Sequence, residues 1–144
     1  MEINTVGRVT VEATVENLED LWAVKNGQKT PEEARRLSIQ DALVDTGATT
    51  LSLPTQLIQQ LGLERRSEKK FTTSSGEATT WVYDAVRLTI QGRECTVDVL
   101  EVPDNVPPLI GQIPLEFLDF VVDLNSRRLI GNPAHGGEHV FEMY

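Results

Sequence analysis

Ala42-Leu43-Val44-Asp45-Thr46-Gly47-Ala48 is an apolar segment that ends on one carboxylate in a tight Thr-Gly turn. Before it, Leu37, Ile39, Asp41 and Leu43 alternate with Ser38, Gln40, Ala42 and Val44, and the run becomes wholly apolar just ahead of Asp45. That pattern predicts a strand entering a core and presenting Asp45 from its end. After the turn, Pro54, Leu57, Ile58 and Leu61, with a stop at Gly62, predict one short amphipathic helix.

Further out, Val9, Val11, Ala13 and Val15 fall on every second position, the mark of a strand with one wet face. Residues 16–30 lose that alternation and are polar. Thr30-Pro31-Glu32-Glu33 then has a cap residue, a proline at the first position and a glutamate three after the cap, so a short helix is expected ahead of the Asp45 strand. Beyond the central helix, Phe71–Thr73, Ala78–Tyr83, Val86–Ile90 and Thr96–Val102 read as β-hairpins broken at Ser75-Gly76 and Gln91-Gly92. Pro114 opens a helix candidate through Leu118, and Phe120–Asp123 reads as a further strand. Many short strands with one or two short helices predict an all-β fold, a small closed or nearly closed β-barrel.

With 144 residues and 40% hydrophobic side chains, the chain can bury one core, and residues 1–144 are expected to form one domain. Acidic residues outnumber basic ones 22 to 13, and a net charge of −9 disfavours nucleic acid and anionic membrane surfaces as partners. No leader-like start and no long apolar run are present, so a soluble, cytoplasmic protein is expected. The single cysteine, Cys95, excludes an intrachain disulfide, and its alternating neighbours predict a thiol packed in a sheet.

Three features in order, Leu43-Val44-Asp45-Thr46-Gly47-Ala48, the Ser74-Ser75-Gly76-Glu77 hairpin and Leu109-Ile110-Gly111, resemble the single-domain, retropepsin-like aspartic proteases. The resemblance covers roughly residues 3 to 125. It implies an aspartic endopeptidase without a cofactor or metal, acting on peptide or protein substrates. That chemistry needs two carboxylates sharing a proton, and one Asp-Thr-Gly per chain implies a homodimer with Asp45 of each subunit on its axis. The aspartic protease dyad is itself the standard example of this coupling.

By the same resemblance, Thr46 would link the two catalytic loops across the dimer axis, and Gly47 would let substrate backbone approach. Thr49 and Thr50 become candidate substrate contacts. The hairpin from about Phe71 to Tyr83 corresponds to the flap that closes over substrate, with Ser75 and Gly76 at its tip and Trp81 as a candidate pocket wall. Leu109, Ile110 and Gly111 correspond to the segment threading beside the catalytic loop. Ala48 stands where acid-loving two-domain relatives usually carry Ser or Thr. Without that hydroxyl one stabiliser of the ionised carboxylate is missing, and a pH optimum nearer neutrality is expected. Two departures from retroviral enzymes are a polar insertion at about 17–36 and an extension at about 125–144.

Two other readings compete. His135-Gly136-Gly137-Glu138-His139 fits the H-x-x-E-H pattern of a zinc peptidase class, but two glycines interrupt the helical face it requires and Pro133 precedes it. A polar loop is the expectation there. The other is a non-catalytic peptide-binding or assembly module on the same fold, against which the intact Asp45-Thr46-Gly47 counts.

Overall fold

The computed structural model describes residues 8–140. The first residues of the stretch that carries the resemblance and the last four of the C-terminal extension lie outside them. Strand β1 (Thr10–Asn17) pairs antiparallel with β2 (Arg36–Val44) on one edge, from Thr10↔Leu43 to Glu16↔Arg36. Its other edge pairs with β5 (Gly76–Ile90), from Thr14↔Thr89 to Asn17↔Val86. Between those two seams run β7 (Leu109–Ile110), β3 (Leu51–Pro54) and β6 (Arg93–Val102), in the order β1-β2-β7-β3-β6-β5. Six strands therefore close into a ring. β4 (Arg65–Thr73) stays outside it, paired only with β5.

Period-two alternation places the core. Val86, Leu88 and Ile90 of β5, Val97 and Val99 of β6, and Ala13 and Val15 of β1 point inward, and each is almost fully buried. Helix α2 (Thr55–Leu61) covers one end of the ring with Ile58 and Leu61, both at most 1% exposed. Helix α3 (Gln112–Phe117) leads to the buried Leu118 and carries Pro114 and Leu115 on its inner side. Cys95 packs against the core from β6, and burial pushes its thiol up to about 11. No helix of the described residues is long and apolar enough to cross a membrane.

The polar insertion differs from expectation in where its helix lies. Thr30-Pro31-Glu32-Glu33 does form a capping box, with Glu33 accepting from the Thr30 N–H at 2.9 Å, but only a single 3₁₀ turn follows, Pro31–Glu33. The α-helix comes earlier, as α1 (Leu18–Lys25), capped by Asn17, whose side-chain oxygen accepts from the Asp20 N–H at 3.0 Å. Its one buried residue is an acid. The Asp20 carboxylate receives Arg35 Nε at 2.8 Å and Nη2 at 3.0 Å, Lys29 Nζ at 2.7 Å and the Arg35 N–H at 2.9 Å. The Arg35 guanidinium above all holds Asp20 well below the usual carboxylate range, against the opposing effect of its burial.

The C-terminal extension folds back on its own chain. β8 (Phe120–Asp123) and β9 (Arg128–Gly131) form a hairpin, followed by a 3₁₀ turn at Pro133–His135. Asp119, 7% exposed, gathers this segment. Its carboxylate lies 2.7 Å from His135 Nδ1 and accepts from Asn132 Nδ2 at 3.2 Å and the Val140 N–H at 3.1 Å. Burial pushes the Asp119 carboxyl up, and these hydrogen bonds outweigh it and hold the group below its ordinary range. Arg93 of β6 donates to the carbonyls of Leu118, Asp119 and Gly137 and stacks over the Phe120 ring at 4.5 Å. The two histidines of the zinc-like pattern have separate partners, His135 on Asp119 and His139 donating from Nε2 to the Phe117 carbonyl at 2.9 Å.

Candidate active site

Asp45 follows the last residue of β2, and main-chain geometry on three sides fixes where it sits. β7 lies beside β2 in parallel, with Leu43↔Leu109 and Val44↔Ile110, and beside β3 antiparallel, with Leu51↔Ile110. The Leu43 N–H donates to the Pro108 carbonyl at 2.9 Å and the Asp45 N–H to the Ile110 carbonyl at 3.0 Å. Within the turn, the Ala48 N–H donates to the Asp45 carbonyl at 3.0 Å, and the Gly47 N–H donates to Asp45 Oδ1, also at 3.0 Å. One carboxylate oxygen is thus engaged by its own turn, while the side chain remains partly exposed.

Gly111 is what allows β7 to thread so closely. The Gly111 N–H donates to the Thr50 carbonyl at 3.0 Å, the Gln112 N–H to Ala48 at 2.9 Å and the Ile113 N–H to Thr49 at 2.9 Å. A Cβ on Gly111 would stand 2.6 Å from both the Ala48 and Thr50 carbonyl oxygens, closer than such atoms can approach, so glycine is required there. A Cβ on Gly47 would lie 3.2 Å from Asp45 Oδ1 and crowd the carboxylate. Leu109 and Ile110 are both buried; they support the turn from the core side.

A cleft of about 800 Å³ opens from Gly47, Ala48, Thr49 and Thr50. Its floor is β6, through Asp98, Leu100 and Val102, and its opposite wall is the β4–β5 hairpin, through Lys69, Phe71, Thr80 and Val82. Ile113 and Phe117 of α3 close one side. Phe71, Ile113 and Phe117 are each about 40% exposed, and they are three of the six large exposed apolar side chains among the described residues. Concentrated on one cleft, they make it a surface suited to apolar side chains.

The hairpin leaves the ring at a defined point. β5 pairs with β6 as far as Val82↔Leu100, and the Thr80 hydroxyl donates to the Glu101 carbonyl at 2.7 Å just beyond. From there to Gly76, β5 pairs with β4 alone, ending at Thr73↔Gly76 around Ser74 and Ser75. Gly76 has φ +120°, a backbone that side-chain-bearing residues rarely adopt.

The structure brings Asp45, Thr46, Gly47, Ala48, Thr49, Thr50 and Gly111 together around one turn; Gly47 to Thr50 line the cleft, while Asp45, Thr46 and Gly111 adjoin it and are not part of the lining. Ser75 and Gly76 lie at the hairpin tip, away from the cleft lining. Trp81 is on the other face of β5 from Thr80 and Val82, packed against the core and stacked under Arg65 at 4.6 Å. The floor supplied by β6 and the contributions of Ile113 and Phe117 were not anticipated. Alternation in Thr96–Val102 located a strand but did not say which face meets a cleft. A model of the aspartyl protease family matches the chain over residues 36–113. No curated protein matches it.

Proposed function

Because the chain belongs to the retropepsin-like aspartyl protease family, we propose that it is an aspartic endopeptidase whose active site forms when two copies bring their Asp45 residues together. The observation that carries this reading is Asp45 itself. It is presented from a strand end by main-chain hydrogen bonds, partly exposed, next to a turn whose Gly47 to Thr50 line a cleft of about 800 Å³. Two such carboxylates a few ångströms apart cannot both ionise cheaply, so they share one proton. The ionised member takes a proton from a bound water. The protonated member polarises the scissile carbonyl, and the water oxygen adds to the carbonyl carbon to give a tetrahedral intermediate. Proton transfer to the leaving nitrogen then releases the two peptides.

In this reading Thr46, exposed beside the carboxylate, faces its counterpart across the dimer axis. The hairpin Arg65–Val82 acts as the flap, and its apolar Phe71 faces Ile113 and Phe117 across the substrate. Peptide-library cleavage by wild type and Asp45→Asn, both verified as dimers, across about pH 4 to 8, tests the proposal. Wild type should cleave, and the variant should be slower by at least about 10³-fold. Equal cleavage by both would remove Asp45 from the chemistry, and no cleavage by a confirmed dimer would favour a peptide-binding module.

A further inference from the structure

We infer, resting on the protease reading above, that the cleft selects substrates carrying an acidic residue near the scissile bond, recognised by Lys69 and Lys70 of the hairpin. The chain is acidic overall, yet four of its thirteen cationic side chains fall within residues 65–70. Strand β4 therefore concentrates cations on one wall of the cleft of an acidic protein, and a charged wall attracts a ligand of opposite sign.

The neighbours separate spoken-for charges from available ones. Arg65 stacks on Trp81 and donates to the Tyr83 hydroxyl at 3.1 Å; Arg66 pairs with Asp98 at 3.1 Å. Of the two acids of the floor, one is ion-paired and the other, bonded only by hydroxyls, keeps its charge on β6, across the cleft from the lysines. Asp98 holds Arg66, and Glu101 accepts from the Thr55 hydroxyl at 2.8 Å and the Tyr83 hydroxyl at 3.2 Å. Lys69 and Lys70 both line the cleft, both are exposed, and among the described residues neither makes an ion pair.

Register sets Lys69 apart from the acid beside it. Lys69 lies opposite Thr80, on the strand face that lines the cleft; Glu68, opposite Trp81, and Lys70, opposite Thr79, are on the other face, and of these two only Lys70 reaches the lining. Lys69 sits two residues from Phe71 on the same face, so a peptide whose apolar side chain meets Phe71 would place a carboxylate close to the Lys69 ammonium, with Lys70 at the edge of the lining. The substrate class is thus an extended, mixed apolar and acidic segment.

The test uses fluorogenic peptides that share one apolar core and carry Glu or Gln at each flanking position, with wild type, K69Q/K70Q and K69E/K70E. Binding of the same peptides to Asp45→Asn is followed by fluorescence anisotropy. Wild type should favour the best Glu peptide over its Gln twin by about fivefold in kcat/KM at low ionic strength, less in high salt. The preference should vanish in K69Q/K70Q and invert in K69E/K70E, with circular dichroism unchanged. Equal rates for Glu and Gln peptides with wild type, or a preference that survives K69Q/K70Q, would overturn the inference. If no peptide is cut, the protease reading fails while the anisotropy data still decide the lysines: a Glu preference lost in D45N/K69Q/K70Q supports them, and its absence refutes them.

Discussion

The two walls of the cleft are built in opposite ways. On the Asp45 side, β2, β7 and β3 interlock through main-chain hydrogen bonds, with Leu51, Leu53 and Ile110 fully buried behind them. Across from it, the outer part of the β4–β5 hairpin pairs as a strand with itself and is joined to β6 by the Thr80–Glu101 hydrogen bond, and its side chains are mostly exposed. Proteins place low local stability where a segment must open and high local stability where geometry must be held. On the proposed function, the contrast gives the two walls separate tasks: one positions the carboxylate and the other admits the peptide.

Substitutions sharpen that contrast. Gly111→Ala should have the largest effect, because a methyl 2.6 Å from two carbonyl oxygens forces backbone apart on the firm wall. A loss of about 3 kcal/mol in urea unfolding is expected, together with loss of cleavage. A stable, active G111A would mean that the interlock tolerates displacement, and the comparison would break.

Next comes Asp20→Asn, at the anchor between α1 and the start of β2. Losing the charge-assisted bonds from Arg35 and Lys29 should cost about 2 kcal/mol at pH 7. Asp20 has a folded-state pKa depressed below its unfolded value. Its contribution is therefore complete at neutral pH and is lost as pH falls from the unfolded value, about 3.9, through the folded one. Urea midpoints at pH 7 and pH 3 should show the gap between wild type and variant narrowing in acid; a gap that widens would assign the stabilisation elsewhere.

Gly76→Ala should have the smallest effect on stability, about 1 kcal/mol from the strained φ at the hairpin tip, while changing kcat/KM more than unfolding. Amide exchange provides the direct comparison: Asp45, Gly111 and Ile113 should be protected near the global limit and Thr79 and Lys70 should exchange much faster. Equal protection on both walls would erase the distinction.

Much of this was legible in the residues because it follows from periodicity. The Asp45 strand, the strand of Val9 to Val15, helix α2 and the hairpin boundaries all came from alternation, turn glycines and a helix stop. Helix α1 escaped because its one buried side chain is Asp20, so no apolar stripe marks it, and its stabilising partner Arg35 lies fifteen residues away. Arg65-Arg66-Ser67-Glu68-Lys69-Lys70 was not read as strand since it is exposed throughout and carries no alternation. The Asp119 hub was equally silent: its partners converge from residues 132, 135 and 140, and only the folded chain shows that one carboxylate serves all three. Within the site, the glycines and Asp45 were legible as local chemistry, while the β6 floor depends on which strand faces which.

β5 is a single strand of fifteen residues, about 50 Å if fully extended. Its Val86–Thr89 arm is held on both sides, by β1 and by β6, whereas its Gly76–Trp81 arm has β4 alone. The register shift between Tyr83 and Val86 sits between the two arms. Mechanically the strand is a lever clamped at one end, with that irregularity as its fulcrum. A change at Asp84, which does not line the cleft, would reset how far the tip travels.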